Sequence, residues 1–251
     1  MEGLAGNVAL VTGAGGGIGR AIARRLAKEG AKLVLTDIEL RAKDDVLRGF
    51  SESAVFLHHA VASETSWADV IAESLKHFGQ IDILVNNAAL IASGNIEDTS
   101  LTQWQAMQRV NADGVFLGCH HAVRTMKANP RGGVIVNLAS LAAVTGLGRY
   151  CAYSASKGAV TALTRSVAAH CRDAGYRIRC NAVIPGAVLT QAIAATTGDM
   201  SPDTADYWHD PRTRYAMPED IASLVAFLAS DDARFITGSE VRIDNGQLFV
   251  Q

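Results

Sequence analysis

The segment GRYCAYSASKGAV, residues 148–160, carries two phenols and one ammonium at spacings that suit chemistry. Tyr153 precedes Lys157 by four residues, and Tyr150 precedes it by seven. On a helix both spacings fall on nearly the same face. A free tyrosine has a pKa near ~10, too high for a base at neutral pH. An ammonium one turn away stabilises phenolate and lowers that value. Tyr153 and Lys157 are therefore a candidate proton-transfer pair. Tyr150 lies two turns from Lys157, about 10 Å along the axis, too far for the same coupling. It flanks a substrate or simply packs. Upstream, Ser140 follows the apolar run GVIVNLA. A hydroxyl there can bond a substrate oxygen and stabilise charge as it develops.

These side chains need a frame. Short runs rich in Val, Ile and Leu occur at 7–12, 32–36, 54–58, 81–86, 133–139 and 178–184, with a final one near 240–243. Their hydrophobicity is continuous rather than alternating, which suits strands covered on both faces, as in a parallel sheet. Helix-like patterns at 18–29, 40–50, 64–78, 101–127, 153–173 and 218–230 separate them. Gly30 and Gly79 follow two of these helices, where a left-handed C-cap would sit. The alternation predicts one doubly wound α/β domain over residues 1–251, a Rossmann fold with about seven parallel strands and helices on both faces. Ser140 then lies at the carboxyl edge of the fifth strand, where open α/β sheets bind ligands. The stretch 187–215 fits no regular unit and reads as a substrate loop.

The first strand runs into TGAGGGIGRAIARRL, with Gly13, Gly17 and Gly19 at a strand-to-helix turn. Glycine lets the turn tighten and lets backbone approach a phosphate, and the helix N-terminus then offers free N–H groups to a diphosphate. The spacing is GxxxGxG rather than GxGxxG. Asp37 ends the second strand, 18 residues after Gly19, where a carboxylate binds ribose hydroxyls. An acid there favours NAD, since it repels the extra phosphate of NADP, and neither Gly16 nor Ile38 supplies a compensating cation. The alternative is that Asp37 only caps the helix that follows.

The 251 residues are 49% hydrophobic and 19% charged, with a formal net charge of −2. That describes a well-cored globular chain, and no basic block or aromatic–basic stripe suggests nucleic acid. No apolar run spans a bilayer and the first residues do not form a signal peptide, so the expectation is a cytoplasmic protein with no membrane partner. Cys119, Cys151, Cys171 and Cys180 match no zinc or CxxC spacing and read as free thiols. His58–His59 and His120–His121 cannot wrap one ion, because adjacent side chains diverge, so no metal is expected.

Taken in order, Thr12-Gly13-x-x-x-Gly17-x-Gly19, Asn86-Asn87-Ala88, Asn111, Ser140 and Tyr153-x-x-x-Lys157 resemble the short-chain dehydrogenase/reductase family over essentially the whole chain. The resemblance continues through Asn181, Pro185-Gly186 and Asp244-Asn245-Gly246. Two stretches, TALTRSVAAHCRDAGYRIRCN and HDPRTRYAMPEDIASLVAFLASD, look nearer to bacterial 3β/17β-hydroxysteroid dehydrogenases. Departures fall at Ala60, where the family often has an Asp for the adenine amine, at Ala89 in place of Gly, at Ala139 in place of Ser, and at Asn245 in place of Gly.

The resemblance implies a catalytic set of Asn111, Ser140, Tyr153 and Lys157. Lys157 would also hold the nicotinamide ribose, and Asn111 would kink its helix and hold a water in a relay to Lys157. The implied NAD contacts are Gly13, Gly17, Ile18, Gly19, Asp37, Ile38, Ala60, Val61, Asn87 and Ala88, then Tyr153, Lys157, Pro185, Gly186, Val188 and Thr190. Leu141, Val144, Leu147, Tyr150, Met200 and Trp208 would line a mostly apolar substrate pocket, fit for a hydrophobic alcohol or ketone. Ser140 stands 13 residues before Tyr153, the family spacing, which selects Tyr153 over Tyr150. The expected activity interconverts a hydrophobic secondary alcohol, a hydroxysteroid or cyclic alcohol, with its ketone. A broad-scope ketone reductase and a non-catalytic nucleotide-sensing protein are the alternatives. The long helices 101–127 and 153–173 imply a homotetramer, with a dimer as the smaller option.

Overall fold

The computed structural model describes residues 3–40, 43–48, 50, 53–190 and 215–249. Strands β1 (Val8–Thr12), β2 (Lys32–Asp37), β3 (Ala54–His58), β4 (Ile83–Asn86), β5 (Gly133–Leu138) and β6 (Ile178–Pro185) alternate with helices. Two-residue strands β7 (Ala187–Val188) and β8 (Tyr215–Ala216) pair with each other, and β9 (Glu240–Ile243) ends the main sheet. That sheet is wholly parallel, in the order β3-β2-β1-β4-β5-β6-β9. The helices are α1 (Gly17–Lys28), α2 (Lys43–Leu47), α3 (Glu64–Phe78), α4 (Leu101–Gln108), α5 (Gly114–Met126), α6 (Cys151–Asp173) and α7 (Pro218–Ala229).

The two-faced burial of β1 explains its unbroken apolar sequence. Ala9 and Val11 pack into a core with α1 and α7, whereas Val8 and Leu10 pack into a second core with α3, α5 and α6. Each fully buried Leu, Val or Ile side chain favours this arrangement by about 1.5–3 kcal/mol, before conformational entropy is charged against it. Gly79 ends α3 in the left-handed conformation that its missing Cβ permits. Buried amides tie the sheet to its cover. Asn86 donates to Asn137 at 2.8 Å, and Asn137 donates to Thr164 of α6 at 2.9 Å.

Three elements differ from the sequence reading. Helix α2 is described over Lys43–Leu47 and ends before Arg48, with Val46 as its one buried side chain. The long helix expected at 101–127 is two α-helices joined by a π-helical turn, Arg109–Asp113, with Asn111 buried at its centre. Helix α6 begins at Cys151, with Tyr150 as the non-helical residue before it rather than on its stripe. Among the described residues no helix is long and apolar enough to cross a membrane.

The sheet order changes direction between β1 and β4, so their carboxyl ends diverge into helices on opposite faces and leave a crevice. Thr12 and Asn87 bind its two lips together. The Thr12 hydroxyl accepts the N–H groups of Asn87 and Ala88, both at 3.0 Å. The Asn87 amide donates back to the carbonyls of Thr12 and Gly13 at 2.9 and 3.0 Å.

Candidate active site

The glycine-rich turn lies at one end of this crevice. A Cβ on Gly19 would meet the Gly13 carbonyl oxygen at 2.1 Å, and one on Gly13 would meet the Ala88 Cα at 2.8 Å. These two positions are small because the turn folds on itself and against the β4 lip. The N-terminus of α1 has no side-chain cap and no acidic residue in its first turn. Ser63 and Ser100, by contrast, cap α3 and α4. An uncapped N-terminus opening into a crevice suits an anion such as a diphosphate.

A cavity of about 570 Å³ runs from this turn past Asp37, Ile38, Ala60 and Val61 to Ala88 and Thr190, and no lysine or arginine is among the described residues that line it. Asp37 is not the cap of α2, which begins at Lys43; it braces two loops and faces the cavity. Its Oδ2 accepts the Gly15 N–H at 2.9 Å and its Oδ1 accepts the Glu39 N–H at 3.1 Å, yet the side chain still lines the cavity. Each carboxylate oxygen keeps capacity for a further donor. Ala60 offers only a methyl, and its N–H is taken by the Ser66 hydroxyl at 3.1 Å. His59 forms part of the wall. Its Nδ1 bonds the Thr36 hydroxyl at 3.0 Å, its ring packs edge-on against Trp67, and its buried Nε2 has no partner among the described residues. Burial, with smaller repulsion from His58 and His121, pulls its pKa down to about 4.

The second cavity, about 400 Å³, adjoins the first and shares Ile18, Asn87, Ala89, Ile91 and Thr190 with it. Here α6 and the end of β5 meet. Ser140, Tyr153 and Lys157 all open into it, with the Ser140 hydroxyl close enough to the Tyr153 phenol to act on its pKa. Ser140 is fixed by its own turn, since its Oγ accepts the Ala142 N–H at 3.2 Å. Lys157 is 3% exposed. Its Nζ donates to the Leu138 carbonyl at 2.7 Å and stands 5.8 Å from the Tyr153 ring centre. Two of its three donors are left for the cavity.

Burial lowers Lys157 to about 8. The same burial pushes the Tyr153 phenol above its ordinary value, and the Ser140 hydroxyl opposes that rise. The sequence expectation was the reverse, a phenol lowered by the ammonium. In the protein alone, desolvation of the phenolate outweighs a lysine whose own charge is disfavoured by burial.

Asn111 lies behind the cavity rather than in its wall. Its Oδ1 accepts the Leu90 N–H at 2.8 Å, and its Nδ2 donates to the Leu90 carbonyl at 2.8 Å and the Ser156 hydroxyl at 3.0 Å. Ser156 in turn donates to the Tyr153 carbonyl at 2.7 Å. Asn111 thus ties the β4 loop to the first turn of α6, and the π turn is what brings its amide inward.

Pro185, Gly186, Val188 and Thr190 line the second cavity with Leu141, Leu147 and Tyr150. Tyr150 arrives there through a bridge to Gly94, not through helical periodicity. Val144 is not brought in, and it sits 43% exposed after the short turn at Leu141–Ala143. Gly17 touches Thr190 without lining either cavity. Met200 and Trp208 lie outside the described residues. Sequence reasoning missed Ile91 and Gln247, which line the second cavity. Both follow the carboxyl end of a strand, and that edge rule was the available signal.

The comparisons with known proteins agree with this architecture. A family model described as enoyl-(acyl carrier protein) reductase matches residues 13–247. The 3-beta-hydroxysteroid dehydrogenase of Comamonas testosteroni is 38% identical over 249 residues, which cover 98% of this chain and 97% of that protein. The NADP-dependent (R)-specific alcohol dehydrogenase of Lentilactobacillus kefiri is 35% identical, with 97% of each chain covered. The crystal structure of levodione reductase superposes with a TM-score of 0.86 at 32% identity, over 97% of this chain and 98% of that one. The chain belongs to the short-chain dehydrogenase/reductase family. It is an oxidoreductase of alcohols and ketones in a family that binds a nicotinamide dinucleotide, and the uncapped α1 terminus beside two adjoining cavities fits that cofactor.

Proposed function

We propose that the protein is an NAD(H)-dependent dehydrogenase that interconverts a hydrophobic secondary alcohol, a hydroxysteroid or cyclic alcohol, with its ketone. The observation that carries this reading is the convergence of Ser140, Tyr153 and Lys157 on an apolar-walled cavity that continues into the Asp37 cavity. In the oxidation direction Ser140 and Tyr153 hold the substrate hydroxyl. Tyr153, as phenolate, takes the O–H proton, and the C–O bond becomes a carbonyl as the hydride leaves the same carbon. When bound, the nicotinamide supplies the acceptor for that hydride and, in its oxidised form, a positive charge. Lys157 would hold the ribose and, together with that charge, offset the burial that disfavours the phenolate, and Asn111 positions α6 and the β4 loop. In reduction Tyr153 returns the proton to the developing alkoxide.

Gly13, Gly17, Ile18 and Gly19 would hold the diphosphate, with Asp37, Ile38, Ala60 and Val61 around the adenosine. Asn87, Ala88, Pro185, Gly186, Val188 and Thr190 would surround the nicotinamide half. NAD is favoured over NADP because Asp37 is the charged group at the ribose position and no cation accompanies it among the described residues of the cavity lining. Leu141, Leu147, Tyr150 and Ile91 give the substrate wall its apolar character. The test is turnover of a panel of steroid, cyclic and aliphatic alcohols with NAD. Tyr153→Phe should lower kcat about 10²-fold or more, the scale of lost acid–base catalysis, while NADH still binds. Tyr150→Phe should change kcat far less, and equal losses in the two variants would defeat the assignment.

A homotetramer is part of the same reading. Leu101, Trp104 and Phe116 expose apolar surface on α4 and α5, the helices expected to meet a second copy. Light scattering after size exclusion should give four chains; a monomer at micromolar concentration would exclude this.

A further inference from the structure

The turn after β9 is unusually constrained, and it points into the catalytic cavity. Asn245, at φ 46°, is the one non-glycine residue with positive φ among the described residues, and Gly246 follows at φ 75°. Asp244 clamps the turn with both oxygens, accepting the Gly246 N–H at 3.1 Å and the Leu248 N–H at 3.2 Å. The Gln247 N–H closes it onto the Asp244 carbonyl at 2.9 Å. A backbone held this way presents one side chain in a fixed direction. That side chain is Gln247, whose Oε1 accepts the Ala187 N–H at 3.2 Å.

The two turns interlock. Gly186 donates its N–H to the Ile243 carbonyl at 3.0 Å, which extends the β6–β9 ladder by one bond. A Cβ on Gly186 would lie 2.5 Å from Gln247 Oε1 and 3.1 Å from the Asp244 Cα. Gly186 is therefore small because the terminal turn is packed on it, and the Pro185–Gly186 bend and Gln247 form one unit. Gly186, Ala187, Val188 and Gln247 all line the cavity that holds Tyr153 and Ser140.

We infer that Gln247 is a positioning residue for the nicotinamide half of the cofactor. It acts through Ala187. By accepting that N–H, its carboxamide oxygen fixes the Gly186–Ala187 peptide plane, which leads into Val188 and Thr190, and so sets the wall that the nicotinamide carboxamide meets. Without an acceptor, the Ala187 N–H would turn toward water or the ligand and the wall would lose its fixed orientation. The inference rests on the proposed reading that residues 185–190 flank the nicotinamide.

Binding of NADH and of ADP-ribose, which lacks the nicotinamide, separates the possibilities. Gln247→Met preserves length and volume but removes the acceptor. It should weaken NADH about tenfold, the scale of one lost buried hydrogen bond, and leave ADP-ribose within about twofold. Retained ADP-ribose binding also reports that the variant is folded. Gln247→Glu keeps an oxygen at the same reach and should recover most of the NADH affinity. Unchanged NADH affinity in Gln247→Met, equal loss of both ligands, or no recovery in Gln247→Glu would each overturn the assignment of Gln247. If the unaltered protein binds NADH no more tightly than ADP-ribose, the reading of residues 185–190 itself fails.

Discussion

The two ends of the crevice are built by different means. At the catalytic end, side chains reach across the fold to hold each other and the backbone. Lys157 bonds the end of β5, Asn111 bonds the β4 loop and α6, and Ser156 bonds the carbonyl of Tyr153. At the adenosine end the wall is mostly glycine and aliphatic groups, and among the described residues Asp37 is its one carboxylate. Polar geometry is thus overdetermined where the reaction needs alignment. Recognition at the other end is concentrated in a single charged group. A site of the first kind should lose rate rather than change selectivity when one group is removed, whereas a site of the second kind should be retuned by one substitution.

Substitution at the adenosine end gives the larger change in cofactor choice. Asp37→Ala should reduce the preference for NAD over NADP about tenfold or more, as expected for a charged hydrogen-bond acceptor. The ratio of kcat/KM values measures this, and kcat with saturating NAD should move little. An unchanged ratio would mean that Asp37 serves only Gly15 and Glu39, and the contrast between the two ends would disappear.

Protonation gives the smaller and slower-acting contrast. Both ends bury a base whose folded pKa lies below its unfolded value, so both make stability rise with pH, in separate windows. For His59 the contribution is complete above the unfolded value near 6.5 and is lost as pH falls toward about 4. For Lys157 it is complete above the unfolded value near 10.5 and is lost as pH falls toward about 8. His121 adds to the acidic window. Cys171 and Tyr153, raised by burial, and Cys180, raised by its contact with Cys119 and by burial, oppose Lys157 in the alkaline one. Urea unfolding of parent and variant across pH is therefore compared by difference, each group giving a slope of at most ~1.4 kcal/mol per pH unit per proton. His59→Gln should flatten the acidic window alone, and Lys157→Met the alkaline one alone. If either variant retains the slope of its window, burial is not the cause of that shift.

Much of this molecule was readable before its coordinates. The β1 and β2 runs are continuous because both faces of those strands are covered, and the chemistry at Tyr153 and Lys157 follows from a spacing of one helical turn. The seven-stranded parallel sheet and the membership of the family agree with that reading. What escaped it depends on contacts between distant parts of the chain. Tyr150 was assigned to a helical stripe, but pairing with Gly94 carries it to the cavity. Gln247 sits in a turn whose local pattern says nothing about Ala187, 60 residues earlier in sequence. The direction of the Tyr153 shift also depends on how deeply the pair is buried, which spacing does not report. Val144 failed for a similar reason, since the turn at Leu141–Ala143 rotates it outward.

The π turn at Arg109–Asp113 constrains more than the placement of Asn111. One additional residue in a helical turn advances the following segment by about 100°. Helices α4 and α5 therefore present faces that no single 3.6-residue repeat can join, although they share a path. Met107 on one side and Val115 and Cys119 on the other are all buried under this offset. Removal of one residue between them would let the backbone relax into an unbroken α-helix, but only by turning α4 away from its contacts with α6. Along this stretch the architecture depends on chain length as much as on residue type.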